Sequence, residues 1–321
     1  MIDRPDHIPP EYLELTIPVV KEFAGWRADR FVAHKIPRLS RNKVQRILKS
    51  LAFDQTGKPI KPNRTLRTDD VVILYKEPPD EPEVCKDIRI IYEDDWYIAV
   101  DKPPRLPVHP TAKYLKNTLT YVLEEMYGAE NRPQLVHRLD AETSGIVLCG
   151  KTLDAERRGK GLFARRKVQK TYLAIVDGIL EPEAGRIEAP ISPDPRTIIK
   201  ARMWTGDPAG LPALTEYETI AKNNGRSLLR MKPRTGRQHQ LRVHLRHMGH
   251  IIVGDKLYAE DQDLFLDYMQ EGLSDSVVER AGHFRQALHA HQLSFTHPYT
   301  DEITTIVSPL PDDMKPLIGL K

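Results

Sequence analysis

The sequence predicts an α+β protein: a mainly antiparallel mixed sheet with flanking helices and loops, preceded by a small basic α/β module. Three observations lead there. From Arg89 onward, short β-like runs alternate with loops and only a few helical patterns, the arrangement of strands that pair without a crossover helix at each step. Between Lys21 and Lys76, fourteen Lys or Arg face five Asp or Glu, so this window carries +9 and the rest −6 of the net +3. Between the two parts lies KEPPDEPEVCKD, Lys76 to Asp87, rich in proline and charge as a semi-rigid exposed linker is.

The expected division is therefore an extension over 1–16, a basic module over 17–76, a linker over 77–87 and a large domain over 88–321. With 321 residues, 40% hydrophobic and 29% charged, the chain can bury a core and is not a disordered tail. No apolar run approaches the ~20 residues of a membrane span. The opening MIDRPDHIPPEY has no apolar core, so it does not read as a secretory signal. Cys85 and Cys149 stand far apart and form no CxxC motif. A reducing cytoplasm is the expected compartment.

In the basic module, WRADRFVAHKI has helical spacing. RLSRNKVQRILKSL follows, with Ser40 as a candidate N-cap and Val44, Ile47, Leu48 and Leu51 on one face. Arg41, Lys43, Arg46 and Lys49 decorate the rest of that helix and are candidate phosphate contacts. A turn, a basic hairpin and a strand over Val71 to Leu74 complete the module. A solvated charged helix face is the plainer reading, and the basic residues that continue into the hairpin argue against it.

In the large domain, strand-like runs begin with IRIIYEDDWYIAVDKP and GIVLCGK and continue through KTYLAIVDGIL, ALTEYETIA, SLLRMKP and ALHAHQLSFTHP. Helical patterns are TLTYVLEEMYG, DAERRGKGLFARR and the acidic EDQDLFLDYMQEGLSDSVVERAG, in which Leu264, Leu266, Tyr268 and Met269 suggest a face packed on the body. Neither GxGxxG nor GxxxxGK[ST] occurs, so no nucleotide cofactor is expected.

Chemistry concentrates in two places. HRLDAETSG, His137 to Gly145, puts a histidine, an arginine and two carboxylates between two apolar runs. Asp140 beside Arg138 is either a carboxylate held ionised for reaction or a loop-capping Asx turn, and spacing alone leaves both open. The segment lacks GxSxG, and the closeness of Asp140 to Glu142 says nothing of their separation across a sugar. In KPRTGRQHQLRVHLRHMGH, His239, His244, His247 and His250 are interleaved with Arg237, Arg242 and Arg246. That pattern disfavours a bound cation, so no metal is expected, and favours an anion gripped by arginine. Leu241, Val243 and Leu245 alternate with Arg242, as if anchoring one face while the arginine points to the other.

HRLDAETSG, together with QKTYLAIVDG, RTGRQHQLRVHLRHMGHIIVGDKLYA, ALHAHQLSFTHP and IIYEDDWYIAVDKPPRLPVHP, resembles the RNA pseudouridine synthases of the large-subunit ribosomal RNA and tRNA branch. The match spans roughly Arg89 to Pro311, in the family's order. The segment from about Ile17 to Leu74 is similar to the S4-type RNA-binding domain that often precedes this catalytic domain. The resemblance implies the pseudouridine synthase fold and an RNA substrate, with no cofactor. It makes Asp140 the nucleophile, Tyr172 the aromatic that stacks on the target uracil and aids proton transfer, and Arg242 the ion-pair partner of Asp140. It also implies that Arg138 enters the RNA when the base leaves, that Leu288 or Leu293 packs on the base or on Tyr172, and that His137 and Arg237 lie on the RNA-binding surface. Two positions depart from the pattern. Arg105 stands where glycine is common, and AFDQTGKP replaces the hairpin V-x-V-N-G-K.

The reaction so implied detaches uracil from ribose at N1, turns it and rejoins it through C5. It is an isomerisation with no redox change, which agrees with the missing cofactor motifs. The expected function is isomerisation of a specific uridine in rRNA or tRNA by a cytoplasmic monomer. Two rivals are a non-catalytic RNA-binding or ribosome-assembly protein on the same fold, and a nucleoside hydrolase using Asp140. A pure binder has no need to keep Asp140, Tyr172 and Arg242 together.

Overall fold

Apolar runs before and after Asp80 close into separate cores, and the chain divides into two compact units, Met1–Asp80 and Glu81–Lys321. The computed structural model describes residues 4–37, 39–78, 80–111, 113–261 and 263–321.

The first unit is a three-stranded antiparallel sheet covered by two helices. Its elements are β1 (Leu13–Pro18), α1 (Ala28–Lys35), α2 (Arg41–Ser50), β2 (Ala52–Phe53) and β3 (Val71–Lys76). The strand order is β1-β3-β2, with Leu13 opposite Lys76 and Pro18 opposite Val71. Ser40 caps α2 by accepting the Lys43 N–H at 3.4 Å, satisfying one of the helix's free amides. Val44, Ile47 and Leu48 turn inward onto Phe31, Val32 and Val72, each aliphatic burial contributing about 1.5–3 kcal/mol. Lys43, Arg46 and Lys49 face solvent, while the side chain of Arg41 lies outside the described part of the chain.

The boundary expected between residues 16 and 17 falls inside β1. Ile8 is buried with Phe53, Ile73 and Tyr75, so residues before 17 are part of the fold. LELTIP alternates weakly, and only pairing with β3 makes it a strand. The unusual hairpin is rebuilt around Asp54. Its carboxylate accepts the Thr56 and Lys58 amides at 2.9 and 3.1 Å and the Arg64 guanidinium at 2.7 Å.

The second unit runs through β4 (Arg89–Glu93), β5 (Tyr97–Lys102), α3 (Leu119–Tyr127), β6 (Gln134–Leu135), β7 (Ser144–Gly150) and α4 (Leu153–Ala164). It continues with β8 (Gln169–Asp177), β9 (Ala184–Glu188), β10 (Ser192–Pro193), β11 (Met203–Trp204), β12 (Leu214–Asn223) and β13 (Arg226–Pro233). The last elements are α5 (Gln240–His247), α6 (Leu264–Glu271), α7 (Asp275–Ala281), β14 (Leu288–Thr296) and β15 (Ile303–Val307). Ten strands form one mixed sheet of order β4-β5-β7-β14-β8-β13-β12-β9, with β15 joined to β14 and β6 to β7. Every pairing in it is antiparallel except β14 with β7. The fold is the α+β class the sequence predicts. Asn224 and Gly225, at φ 51° and 73°, make the tight turn between β12 and β13, the left-handed pair that a two-residue hairpin needs.

Strand β7 is buried on both faces. Ile146 and Leu148 pack with Tyr97, Leu162 and Phe295, whereas Val147 and Cys149 pack with Leu123, Leu139 and Ala290. The strand therefore holds the loop that precedes it, HRLDAET, in the middle of the sheet rather than at its rim. Cys85 and Cys149 are free thiols. No helix among the described residues is long and apolar enough to cross a membrane.

Candidate active site

Four contacts immobilise the loop around Asp140. The Thr143 N–H donates to the Asp140 carbonyl at 3.1 Å, closing a turn. Lys102, fully buried, spreads its ammonium over the carbonyls of Pro103, Leu106 and Ala141 at 2.8–2.9 Å. Glu142 accepts Lys256 at 3.0 Å through both oxygens and the Gln286 N–H at 3.1 Å. The Gln286 side-chain amide donates to Thr143 Oγ1 at 2.6 Å. The Asp140 backbone thus makes the turn, and its carboxylate is left for another partner. Glu142 is a structural tie.

That partner is Arg242. Its Nη1 donates to Asp140 Oδ2 at 3.0 Å, while Nε and Nη2 grip Asp255 at 2.7 and 2.9 Å. The side chain of Asp140 is 28% exposed, Arg242 8% and Asp255 1%. Asp255 also accepts the amides of Leu257 and Tyr258, each at 3.1 Å. A planar guanidinium suits this double grip as an ammonium does not. The Tyr258 ring lies 4.9 Å from its central carbon. Burial alone would raise the Asp140 pKa. The Arg242 guanidinium outweighs it and holds the carboxyl below its usual range.

His239 approaches the same oxygen, with Nε2 at 4.0 Å. Its Nδ1 lies 2.9 Å from the Tyr258 hydroxyl, which accepts the Met203 N–H at 2.9 Å. Burial, reinforced by Arg242, lowers the His239 pKa to about 4, so the ring is neutral at physiological pH. Its backbone is left-handed, φ 54°, just before α5 begins. Gln240 secures that entry by accepting Thr235 Oγ1 at 2.7 Å and the Arg237 N–H at 3.0 Å.

Asp140, Arg242, His239 and Tyr172 line one cavity of 460 Å³, with Leu288, Arg138, His137 and Arg237 on its walls. Tyr172 stands on β8 opposite Met231 and Ala290. Burial, and then the Asp140 charge, raise its pKa, so the phenol keeps its proton. The cavity pairs an ionised carboxylate with a protonated phenol beside apolar walls. A larger cavity of 720 Å³, between the end of β5 and the C-terminal residues, contains none of the site residues named from the sequence.

Not every expected residue converges. Leu293 packs with Ile146, Leu148 and Phe295 away from the cavity, so of the two aliphatic candidates only Leu288 reaches it. His137 stacks on Phe163 at 4.5 Å, and its Nε2 accepts the Leu148 N–H at 3.0 Å. The ring is thereby committed to the fold, and burial lowers its pKa to about 3. Arg138 is exposed, and Arg237 donates from Nε to the Pro212 carbonyl at 3.1 Å.

The alternation of Leu241, Val243 and Leu245 with Arg242 predicts a strand-like pair of faces, but the segment is a helix. Leu241 and Leu245 share one cluster, Val243 joins another, and Arg242 and His244 are buried too. Leu241, Leu245 and Met248 do recur at helical spacing and pack into one cluster, but Val243 between them gives an alternation that masks that period. The four histidines considered as metal ligands have other partners. His244 binds Thr215 Oγ1 and the Ala189 carbonyl, His247 binds Thr205 and His250 the Asp177 carbonyl. Sequence reasoning left Asp255, Tyr258 and Lys102 without a role. The only signal for the first two was their place in VGDKLYA, and nothing in that string names Arg242 as a partner.

The profile of the RNA pseudouridylate synthase family matches residues 96–247. An RNA pseudouridine synthase of Chlorobaculum parvum, itself uncharacterized, is 34% identical over 315 residues, covering 94% of this chain and 95% of its own. The ribosomal large subunit pseudouridine synthase D of Neisseria meningitidis serogroup A is 34% identical over 95% of this chain and 81% of its own. Among solved structures, human RNA pseudouridylate synthase domain containing 4 matches with TM-score 0.55 and 28% identity, over 70% of this chain and 89% of that one. With the sheet, the buried carboxylate–arginine–carboxylate line and these similarities on nearly the full length, the chain belongs to the RNA pseudouridine synthases, enzymes of the isomerase class.

Proposed function

We propose that this enzyme converts a specific uridine of ribosomal or transfer RNA to pseudouridine, with Asp140 as nucleophile, Tyr172 stacked on the uracil and Arg242 holding Asp140 ionised. The observation that carries the reading is the line Asp140–Arg242–Asp255 in the cavity that Tyr172 and Leu288 share. The relative from Neisseria is named for the large ribosomal subunit, which favours ribosomal RNA. The uridine leaves its stack at a cost of a few kcal/mol, and Tyr172 recovers part of it.

In the reaction the N1–C1′ bond breaks and a C5–C1′ bond forms. The C5 proton leaves, and N1 ends with a proton. The Asp140 carboxylate attacks C1′ as uracil departs, and the returning C5 displaces it, so no water is consumed. Tyr172, protonated at the outset, gives its proton to N1 and as the phenolate takes the C5 proton, so the phenol is regenerated. Arg138, exposed at the rim, fills the space that the flipped base vacates. The first unit is read as an S4-like module whose Lys43, Arg46 and Lys49 supply sequence-tolerant phosphate affinity, and the enzyme as cytoplasmic.

The decisive variant is Asp140→Asn. Pseudouridine formation in ribosomal RNA falls by at least roughly a thousandfold, the scale of a lost covalent catalyst, while RNA affinity changes little. A folded Asp140→Asn enzyme that modifies RNA at the wild-type rate refutes the assignment.

A further inference from the structure

The cavity that holds Asp140 is the middle of three adjoining depressions, and both outer ones are lined by cations. On one side, a depression of 380 Å³ is lined by His109, Arg132, Arg138, Glu156 and Lys160, and it shares Val136, His137 and Arg138 with the central cavity. On the other, a groove of 420 Å³ is lined by Arg166, Lys170, Arg230, Lys232, Arg234 and His291, and it shares Lys170 and Pro233 with the central cavity.

The charges in these flanks exceed what the fold uses. In the groove, Arg230 and Arg234 pair with Glu218 and Glu216 at 2.8 and 2.6 Å. No carboxylate is among the residues that line the groove. Among the described residues, the Lys170 ammonium donates to the Thr235 carbonyl alone, at 3.3 Å. In the opposite depression, Lys160 pairs with Glu156 and Arg132 with Glu124, but Arg132 Nε is buried without a hydrogen-bond partner. His109 faces Arg138, Lys160 and Arg132 together, and its pKa is lowered by burial and then by these three. Fixed cations on both sides of a neutral-base cavity match a strand with one negative charge per linkage and its uncharged bases between.

We propose that the two flanks bind the phosphodiester groups on either side of the target uridine, so that a single strand of RNA crosses from the Arg132–Lys160 depression to the Lys170–Lys232 groove. The inference rests on the RNA reading above and adds the path of the chain. Only the base is drawn inward, and the strand is held at two points.

The test uses the full-length enzyme and oligouridylates of increasing length as probes. Wild-type affinity rises with length until both flanks are reached. Lys160→Glu and Lys232→Glu each lower affinity for an oligomer of about nine nucleotides by roughly tenfold and reduce the slope of log affinity against log salt by about one. The double variant loses roughly the product. Binding of the free nucleoside uridine, which carries no phosphate and occupies only the central cavity, is unchanged in all three. Lys315→Glu, a cation outside these depressions, leaves affinity and slope as they were. Melting temperature is measured for each, since both flank lysines are exposed and their replacement leaves the fold intact. Affinity independent of length overturns the proposal, and so does a response on one flank alone or on neither. Binding does not require turnover. A wild-type enzyme that forms no pseudouridine therefore counts against the isomerase assignment and leaves these measurements interpretable.

Discussion

Arg242 is the residue on which the site turns. Its guanidinium serves two carboxylates of different kind. Asp255, 1% exposed, takes two nitrogens, and Asp140, 28% exposed, takes one. The buried pair fixes where the third nitrogen points, and that nitrogen keeps Asp140 ionised and aimed into the cavity. On the proposed mechanism, Asp255 is thus a positioning residue that acts through Arg242. Removing one partner of a buried pair leaves a charge uncompensated, at about 3–5 kcal/mol, and an isosteric amide softens this. Asp255→Asn is expected to lower unfolding stability by about 2–4 kcal/mol and the saturating single-turnover rate by about 10–100-fold. The pH at which activity falls on the acid side moves upward, because a loosened Arg242 depresses the Asp140 pKa less. A stability loss with an unmoved pH profile makes Asp255 purely structural. Arg105 illustrates another residue-level constraint. Its φ of 65° is the left-handed conformation that glycine adopts freely, so the backbone here suits the glycine that the resemblance implies.

Among the elements, the parallel contact of β7 with β14 sets the position of the HRLD loop. Ser144 lies opposite His289 and Gly145 opposite Ala290. At Gly145 the backbone has φ 107°, and a Cβ would come within 2.3 Å of the Ala290 carbonyl oxygen. The strand seats only because no side chain is there. Ser144 Oγ bonds His289 Nδ1 at 2.9 Å beside it, so the loop is anchored across the sheet a few residues after the carboxylate. Gly145→Ala combines backbone strain with a steric clash, and a loss of about 3 kcal/mol or more is expected, read as a lower urea midpoint. Activity falls further than stability predicts, because Asp140 moves with the strand. A variant as stable and active as wild type shows that the two strands part without consequence. Helix α5 makes the complementary point, since the alternation of Leu241, Val243 and Leu245 masks its helical period and only the folded chain shows the turn that brings Arg242 and His239 to one wall.

Across the molecule, buried neutral histidines set the acid limit of stability. His137, His239, His244 and His289 have pKa values lowered to about 3, 4, 4 and 4, first by burial in every case. The folded protein takes these protons only near those values, whereas the unfolded chain takes them near pH 6.5. The unfolded state therefore binds more protons between pH 6.5 and 4, and stability falls as pH drops through that window. Each proton contributes about 1.4 kcal/mol per pH unit. Urea midpoints measured from pH 7.5 to 4.5 are expected to decline well before carboxylates titrate. Replacing His244, which is 0% exposed and bonded to Thr215 and the Ala189 carbonyl, by Gln makes the decline shallower. A flat profile to pH 5 contradicts the assignment of these rings as neutral.

The sequence by itself determined the fold class and the family, because strand alternation and the HRLDAETSG segment are local signals, and through the resemblance it named Asp140, Tyr172 and Arg242 as candidate site residues. It also separated Asp140 from Glu142 through that resemblance, though only the structure gave Glu142 its work on Lys256. Tertiary structure decided which distant groups meet: Asp255 on Arg242, Tyr258 on His239, Lys102 beneath Ala141. It also put Leu288 at the cavity and Leu293 behind the sheet, and it made residues before 17 a strand of the first unit. Burial and charge pairing are properties of neighbours in space, and these partners lie from 13 to 39 residues apart along the chain, with 102 between Asp140 and Arg242. No local pattern specifies such distances, because a side chain's type states what it can bond and not which partner the folded backbone will bring to it.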